Sequence, residues 1–465
     1  MPTRIYSGAT PEQIAAQLAP LLELRREGME LAELERELST RLLPHLMRYA
    51  SPGFQSMFND APEPGALLGA RLALEHNQGV TNWQVSPGGT VLEELCMRAL
   101  CRLFGLAEQA DATPQYCGTL ANQQGVYMAL HHFLAARGVD LSAQGLAGYA
   151  ARTGADALTK LAVVTSADTH FSLRHAVRSV GLGERCLVSV PVDERRRMSA
   201  AQLDATLGRL RQQGREIVCV VGTTGTTSTG AVDPIGELAS VCAEHGEPEG
   251  GVWLHVDGAY GLAYALVPEA RPRFAGIERA HTLAWDPHKQ MAVPIPNSML
   301  FARDAKLFEC MAVHSAYFNR ADSPEPNPGL KSTPSTRPLS ALPLLASILH
   351  QGLDGLEARL RAPLVTMQSL HAYLSEQDDM EPVHEPDTGV LSLRLRAAGA
   401  SAAQLDALHS RIYSELLAKG ERSISITRLD GRSALRLVSV SPQTDFDALM
   451  ASIADIRRLA AEIRG

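Results

Sequence analysis

The sequence predicts an α/β fold in which a mostly parallel sheet is covered by helices and is followed by a smaller α+β domain. Between residues 90 and 302, short apolar segments alternate with longer segments whose apolar residues recur at helical spacing. The short segments suit strands that are buried on both faces, and residues 216–221 are rich in β-branched side chains. This alternation favours parallel strands joined by crossover helices.

The first 65 residues are predicted to form a helical arm. Thr10 has the character of an N-cap, Pro11 follows it, and leucines then recur at helical spacing to about residue 50. One side of the segment is charged, so we expect the arm to pack on a partner surface. Residues 49–65 are rich in Pro, Gly and Ser and are predicted to be a connection.

Residues 66–338 are predicted to form a large domain. Its predicted helices are 90–104, 119–137, 200–213 and 234–244, and its predicted strands are 161–165, 186–192, 216–221, 252–256, 282–285 and 298–302. The segment 316–338 is rich in Pro, Ser and Asn and lacks an apolar period. Because it is too long for a routine connection, we expect it to be a functional lid.

Residues 339–465 are predicted to form the small C-terminal α+β domain. Its predicted helices are 339–374, 402–418 and 445–463, and its predicted strands are 390–395, 423–427 and 434–440.

Composition excludes several classes of function. The 465 residues carry a net charge of −8, which argues against a basic nucleic-acid surface and against a polybasic membrane anchor. No segment reaches the apolar length of a membrane span, and the N-terminus shows no signal pattern. The seven cysteines are scattered without a CxxC pair. We therefore expect a cytoplasmic protein with reduced thiols and no metal site.

Two residues point to covalent cofactor chemistry. Lys289 ends the sequence Asp-Pro-His-Lys after an apolar strand, where partial desolvation would lower its pKa and free the amine as a nucleophile. Asp257 follows the apolar strand 252–256, where a carboxylate could meet a cation such as a protonated pyridine nitrogen. Taken alone, Lys289 is more simply a surface lysine after a turn, and Asp257 may equally cap a helix.

Three weaker motifs accompany them. Gly118 and Thr119 open the helix 119–137 and could cradle a phosphate, although an ordinary capping turn has the same look. His170 follows a strand end and could stack on a flat ring, and Thr223 could offer a hydroxyl. A lone histidine is more often structural. Together, however, these residues form the ordered set that a phosphate-bearing ring cofactor with a Schiff-base lysine needs.

With these motifs the sequence resembles the group II pyridoxal-phosphate-dependent decarboxylases, which act on glutamate, aromatic amino acids, cysteine sulfinate and aspartate. The resemblance runs from about residue 77 to the C-terminus. It is carried by Ser86-Pro87 before a Leu-Glu-Glu helix and by residues 117–122, 168–172, 222–227, 255–261, 286–289 and 435–442.

The resemblance implies a fold-type-I lyase of amino-acid metabolism. It implies that pyridoxal 5'-phosphate, bound as a Schiff base on Lys289, decarboxylates an L-amino acid to the amine and CO₂. It further implies a homodimer with the active site at the subunit interface. The other implied roles are Asp257 on the pyridinium nitrogen, Ala259 below the ring and His170 above it, Gly118, Thr119 and His288 on the phosphate, Thr223 near ring and substrate, Arg436 on the substrate carboxylate, and Asn77 beside the substrate.

Two departures from the family pattern keep alternatives open. The phosphate motif usually has a small run such as Ser-Gly-Gly, whereas Cys117 precedes Gly118 in this chain. The loop 320–336 lacks the tyrosine that protonates the carbanion in many members, and Tyr317 matches a different, structural position. Either another group such as His170 returns the proton, or the product is an aldehyde formed by oxidative deamination.

Two other functions compete with decarboxylation. One is a fold-type-I lyase that cleaves a carbon–carbon bond, as sphingosine-phosphate lyase does; the match around Arg436 favours decarboxylation. The other is a catalytically inactive paralogue, which the presence of both Lys289 and Asp257 disfavours. The substrate cannot be inferred from the sequence, because an arginine equivalent to Arg436 permits acidic substrates but occurs across the family.

Overall fold

A computed structural model of the chain describes residues 4–24, 26–246, 251–315, 319 and 325–464. The fold divides into two compact units. The large-sheet unit comprises Pro62–Arg361 and Pro386–Thr388, and the small-sheet unit comprises Met1–Ala61, Ala362–Glu385 and Gly389–Gly465. The predicted segments 1–65, 66–338 and 339–465 divide the chain at other places, and those domain boundaries stay a prediction.

Within the described residues, the elements alternate much as the sequence predicts. The α-helices are α1 (Pro11–Leu18), α2 (Leu31–Arg41), α3 (Pro64–His76), α4 (Pro87–Leu103), α5 (Gly118–Ala135), α6 (Leu141–Thr153), α7 (Ser172–Ser179), α8 (Ala200–Gln212), α9 (Ile235–Glu244), α10 (Ala341–Ser375), α11 (Ala402–Lys419) and α12 (Phe446–Arg464). The strands are β1 (Asp111–Gln115), β2 (Leu161–Ser166), β3 (Leu187–Val190), β4 (Glu216–Thr223), β5 (Trp253–Asp257), β6 (Thr282–Trp285), β7 (Ser298–Ala302), β8 (Met380–Pro382), β9 (Val390–Leu395), β10 (Ser425–Leu429) and β11 (Arg432–Val438).

The large sheet has the strand order β1-β7-β6-β5-β4-β2-β3. Strands β6, β5, β4, β2 and β3 run parallel, whereas β7 pairs antiparallel with both β6 and β1. This confirms the predicted α/β class with a mostly parallel sheet. In the register, Thr223 on β4 lies opposite Asp257 on β5, so the carboxyl ends of these strands finish at one edge of the sheet.

Helix α5 covers the middle of this sheet and is buried on most of its surface. Ala121, Val126, Ala129, Leu130 and Phe133 all lie in the core that it shares with β2 and β4. Burial on so many sides explains why the helix is apolar almost all round rather than on one stripe. Its first turn therefore has a fixed position beside the carboxyl ends of the strands.

The small sheet is antiparallel throughout, with the order β10-β11-β9-β8. Leucines of β9 and β11 pack against apolar residues of α11 and α12 in one core, which gives the predicted α+β arrangement. The N-terminus belongs to the same unit, because the N–H of buried Ile5 donates to Gly420 O (2.8 Å).

The prediction of one helical stretch over residues 10–50 is wrong in its middle. Thr10 caps α1 through a reciprocal capping box with Gln13, as expected. A short 3₁₀ turn that begins at Ala19 and contains Pro20 then ends the helix, and α2 starts only at Leu31. Proline lacks the N–H that an α-helix needs at this point, which accounts for the interruption.

Several elements of the structure were not predicted from the sequence. Helices α3 and α6 and strands β1 and β8 were not predicted, and α10 is broken at Gly352, where φ is +66°. Strand β1 contains Pro114 and lies at the edge of the large sheet. Proline is tolerated on an edge strand, so this strand lacks the apolar signature of its neighbours. Tyr317 and the rest of residues 316–318 and 320–324 of the predicted lid 316–338 lie outside the described residues.

None of the described helices is long and apolar enough to cross a lipid bilayer. The cytoplasmic location stays a prediction.

Buried His409 makes the stability of the small-sheet unit depend on pH. Burial lowers the pKa of this histidine to about 4, and its Nε2 accepts a hydrogen bond from Leu395 N (3.0 Å). An unfolded histidine has a pKa of about 6.5, so below that pH the unfolded state binds more protons than the folded state. The free energy of unfolding should therefore fall, by roughly 2–3 kcal/mol from this group, as the pH drops from 6.5 to 4.5.

The variant His409→Gln keeps an acceptor near Leu395 N but removes the titration. Urea unfolding at pH 7 and pH 4.5 should show a smaller loss of stability at the lower pH for this variant than for the wild type. The same pH dependence in both proteins would contradict the prediction.

Candidate active site

The carboxyl ends of β4 and β5, the turn after β6 and the start of α5 surround one pocket of the large-sheet unit. It is lined by Cys117, Gly118, Thr119, Asn122, His170, Ser172, Thr223, Gly225, Thr227, Asp257, Ala259, Tyr260, Asp286 and Lys289. The structure thus brings together seven of the predicted site residues: Gly118, Thr119, His170, Thr223, Asp257, Ala259 and Lys289.

Lys289 enters the pocket from the turn that follows β6. Its Nζ lies 3.1 Å from Asp286 Oδ2, and Asp286 Oδ1 accepts a hydrogen bond from Ser298 Oγ (2.6 Å). Asp286 is almost fully buried, so the lysine ammonium compensates a carboxylate that would otherwise be costly to bury. Asp286 and Lys289 are three residues apart in the Asp-Pro-His-Lys motif, which allows this pairing. No role was predicted for Asp286 from the sequence.

His288 is turned toward the backbone of its own loop. Its Nδ1 lies 2.6 Å from Asn297 O, and its Nε2 lies 3.6 Å from Asp286 Oδ2. Burial lowers the pKa of the imidazole, which favours the neutral form. His288 is not among the described residues that line the pocket. Its role on the phosphate stays a prediction.

Asp257 stands at the end of β5 with only 5% of its surface exposed. Its Oδ2 accepts a hydrogen bond from Asn122 Nδ2 (2.8 Å), and its Oδ1 accepts one from Ala259 N (3.2 Å). These two donors fix the orientation of the carboxylate. The side chain therefore presents a fixed hydrogen-bond acceptor to the pocket.

His170 lines the pocket from the loop between β2 and α7. Its Nδ1 accepts a hydrogen bond from Ser172 N (3.2 Å), so the ring proton of the neutral form lies on Nε2. Burial lowers the pKa of this imidazole, which also favours the neutral form. A neutral, partly buried ring is suited to stacking on a flat ligand.

The first turn of α5 closes the pocket at close range. A Cβ atom placed on Gly118 would lie 2.8 Å from Asp286 Oδ2 and 3.0 Å from the Cβ of Ala259. Glycine is therefore required for the helix start to approach this closely. The first N–H groups of a helix have no partner within the helix, so this end of α5 is suited to bind an anionic group.

Thr223 contributes a hydroxyl without a protein partner. Its Oγ1 is buried and has no hydrogen-bond partner within the described part of the chain, although the residue lines the pocket. Its backbone N–H donates to Asp233 Oδ2 (2.8 Å), and burial raises the pKa of that aspartate to about 7. An unpaired buried hydroxyl is costly, and a bound polar ligand would relieve that cost.

The donor set fits pyridoxal phosphate. An amine, a carboxylate, a neutral imidazole, an unpaired hydroxyl and the N-terminus of α5 all face one cavity. These groups match an aldehyde, a ring nitrogen, a ring face, a ring substituent and a phosphate. Within the described residues, no group of three or more His, Cys, Asp or Glu side chains is arranged to hold a metal ion.

Arg436, Asn77 and Asp168 belong to segments singled out in the sequence but are not among the described residues that line this pocket. Arg436, in the small-sheet unit, is buried and donates to Ser425 Oγ (2.6 Å) and Ser56 O (2.7 Å). Asn77 ends α3 with φ +46°. Asp168 forms a bidentate ion pair with Arg196, at 2.9 and 3.0 Å. The substrate-binding roles of Arg436 and Asn77 stay predictions.

Asn122 and Ser172 are pocket residues to which the sequence analysis gave no role. Both belong to the motifs quoted for the resemblance, yet nothing in the local sequence shows that they meet. Asn122 Nδ2 donates to Ser172 Oγ (2.9 Å) as well as to Asp257. A contact between residues so far apart in the chain follows only from the fold.

Known proteins share both the sequence pattern and the fold. Residues 11–396 match the pyridoxal-dependent decarboxylase conserved domain. The chain is 29% identical to L-2,4-diaminobutyrate decarboxylase of Rhizobium meliloti (strain 1021), over 99% of this chain and 88% of the relative. It is 28% identical to human cysteine sulfinic acid decarboxylase, over 81% of this chain and 73% of the relative.

Solved structures show the same fold. The glutamate decarboxylase domain of diaminobutyrate-pyruvate transaminase and L-2,4-diaminobutyrate decarboxylase from Vibrio parahaemolyticus superposes with a TM-score of 0.84 and 23% identity, covering 99% of this chain and 91% of that one. Oryza sativa TDC, crystallised with PLP and tryptamine, gives a TM-score of 0.88 and 22% identity, covering 100% and 94%. Because the family match spans most of the sequence, the chain belongs to the pyridoxal-dependent decarboxylases and is a fold-type-I, pyridoxal-phosphate-dependent amino-acid decarboxylase.

Proposed function

We propose that this pocket holds pyridoxal phosphate on Lys289 and releases CO₂ from an L-amino acid to leave the amine. The observation that carries the proposal is that the Lys289 amine and the buried Asp257 carboxylate line one cavity beside the N-terminus of α5. When bound, the cofactor supplies a cationic ring that absorbs the electron pair left by the departing carboxylate.

The protein side chains orient the cofactor and hold its charges. Asp257 would pair with the ring nitrogen, because two donors hold its buried carboxylate in place at the end of β5. Gly118 and Thr119 would receive the phosphate at the first turn of α5, with His288 as a further contact. His170 and Ala259 would enclose the two faces of the ring, and the hydroxyl of Thr223 would find its missing partner there.

Lys289 would also change partners within the site. Asp286 Oδ2 lies 3.1 Å from its Nζ, so this carboxylate would receive the lysine amine when the substrate amine takes its place on the cofactor. This arrangement keeps the lysine in the pocket during turnover. We infer that Asp286 holds the released amine near the reacting carbon.

The attachment residue can be tested by reduction of the holoprotein with borohydride followed by digestion. We expect a pyridoxyl label on the peptide that contains Lys289. The variant Lys289→Ala should fold normally but lose the label and all but a trace of turnover, because the amine is the attachment point. A label on another lysine, or near wild-type turnover by the variant, would refute the assignment.

The product depends on how the proton returns to the α-carbon. His170 is a weak candidate for this step, because Nδ1 accepts a backbone N–H and burial lowers the pKa of the ring. His170 is therefore a neutral imidazole at neutral pH and does not provide an imidazolium to donate the proton. The relatives that are named as decarboxylases nonetheless favour the amine as the product over the aldehyde.

We expect product analysis to find amine and CO₂ in equal amounts with no uptake of O₂. L-2,4-diaminobutyrate is the first substrate to test, because a relative with that activity aligns over 99% of this chain. Cysteine sulfinate and aromatic amino acids form the comparison panel. An aldehyde, released with ammonia and accompanied by O₂ uptake, would establish the oxidative alternative.

We also propose that the protein is a homodimer with its active site at the subunit interface. Helices α1 and α2 bury none of their residues, and Leu24 and Leu31 expose 95% and 79% of their surface. Exposed leucines of this kind are suited to cover a second subunit. Light scattering should give twice the chain mass of 50.0 kDa, and a mass near 50.0 kDa would contradict the proposal.

A further inference from the structure

We propose that Thr282, His255 and Asn122 are positioning residues that form a one-way hydrogen-bond relay behind Asp257 and hold its carboxylate aimed at the pocket. The proposal rests on the proposed role of Asp257 toward the cofactor ring. The three residues have no part in the proposed function as stated above. Of the three, only Asn122 lines the pocket.

The relay runs through four contacts. Trp253 Nε1 lies 3.3 Å from Thr282 Oγ1, which lies 2.9 Å from His255 Nδ1. On the other side of the imidazole, Nε2 lies 2.9 Å from Asn122 Oδ1, and Asn122 Nδ2 donates to Asp257 Oδ2 at 2.8 Å. The path thus connects a buried indole with the carboxylate of the site.

The chemistry of the two ends sets the direction of every bond. An indole N–H can only donate, and an ionised carboxylate can only accept. Asn122 must therefore turn its amide nitrogen to Asp257 and its oxygen to His255, which requires a proton on His255 Nε2. Nδ1 of the neutral ring is then bare and accepts from the hydroxyl of Thr282, whose oxygen accepts from Trp253. One orientation satisfies all four contacts.

Strand geometry places these residues on one face of the sheet. Trp253, His255 and Asp257 alternate along β5 and so share a face, and His255 lies opposite Thr282 on β6. His255 and Thr282 have no exposed surface, and Asn122 has 1%. In such surroundings each missing partner would leave a polar atom unsatisfied, because water has no access.

Gly125 leaves the room that the imidazole needs. A Cβ atom at this position of α5 would lie 2.5 Å from Nδ1 of His255. Glycine inside a helix is less favourable than alanine, so helix propensity does not explain Gly125, whereas the space needed by His255 does. The helix and the imidazole are therefore in direct contact, and the position of the ring is fixed from both sides.

The relay remains intact at neutral pH. Burial lowers the pKa of His255 to about 4, so the ring stays neutral at neutral pH and its Nε2 keeps the proton that Asn122 needs. Asn122 in turn donates to a carboxylate with 5% exposure, where a hydrogen bond meets little competition from water. The relay thus orients Asp257 through residues of which only Asn122 lines the pocket.

The test compares Thr282→Val, which removes the hydroxyl, with Thr282→Ser, which keeps it. We expect Thr282→Val to bind pyridoxal phosphate roughly tenfold more weakly and to lower kcat with little change in KM, because one member of a buried network is lost. Thr282→Ser should restore both values. Equal cofactor affinity and kcat in the two variants would overturn the relay.

A second measurement does not depend on the bound cofactor. In the apoprotein labelled with ¹⁵N-histidine, the ring nitrogens of His255, identified from the spectrum of His255→Gln, should show the Nε2–H tautomer. The Nδ1–H tautomer would reverse the relay and overturn the proposal. If wild-type protein lacks the pyridoxyl label at Lys289, the proposed function fails while this measurement still decides the relay.

A third variant covers the case in which Thr282→Val does not fold. Trp253→Phe keeps an aromatic ring but removes the indole N–H at the start of the relay together with part of the buried ring system. We expect a loss of cofactor affinity in the same direction and smaller than that of Thr282→Val. Wild-type affinity together with the wild-type His255 tautomer would show that the indole does not take part.

Discussion

The placement of a buried carboxylate at the end of β5 constrains much of the large-sheet unit. Removing a carboxylate from water is costly unless donors replace the lost solvent. Asp257 receives such donors from a helix and from the next turn, through Asn122 and Ala259. Helix α5 must therefore lie across this part of the sheet with Asn122 beside the end of β5. The same contact also fixes the position of the first turn of α5.

The parallel sheet converts this constraint into a site. Because β4, β5 and β6 run parallel, the residues after each strand gather at one edge, and Thr223, Asp257 and Lys289 come from three successive strand ends. The buried Asp286 carboxylate is balanced by the lysine in the same edge. Positive and negative groups are thus arranged in one small volume before any ligand binds.

Much of this could be predicted from the sequence, and the exceptions have physical reasons. Strands Thr282–Trp285 and Val390–Leu395 were predicted to the residue because they are short, rich in apolar residues and sharply bounded. Edge strand β1 was missed because it contains polar residues and a proline. Pocket residues that follow a predicted strand could be predicted from the sequence. Asn122 and Ser172 could not, because their contact joins segments that are distant in sequence.

The same distinction applies to the histidines. His170, in a loop after a strand, could be assigned from sequence as a residue for stacking, whereas His255 lies inside a strand and gives no local sign of its contacts. Its partners are on α5 and β6, and its ring touches a helix position where only glycine leaves space. A polar residue within an apolar strand is costly to bury unless the fold supplies partners on both sides. The fold supplies them at both nitrogens of His255, so the hydrogen bonds that orient Asp257 and the packing that positions α5 depend on the same imidazole.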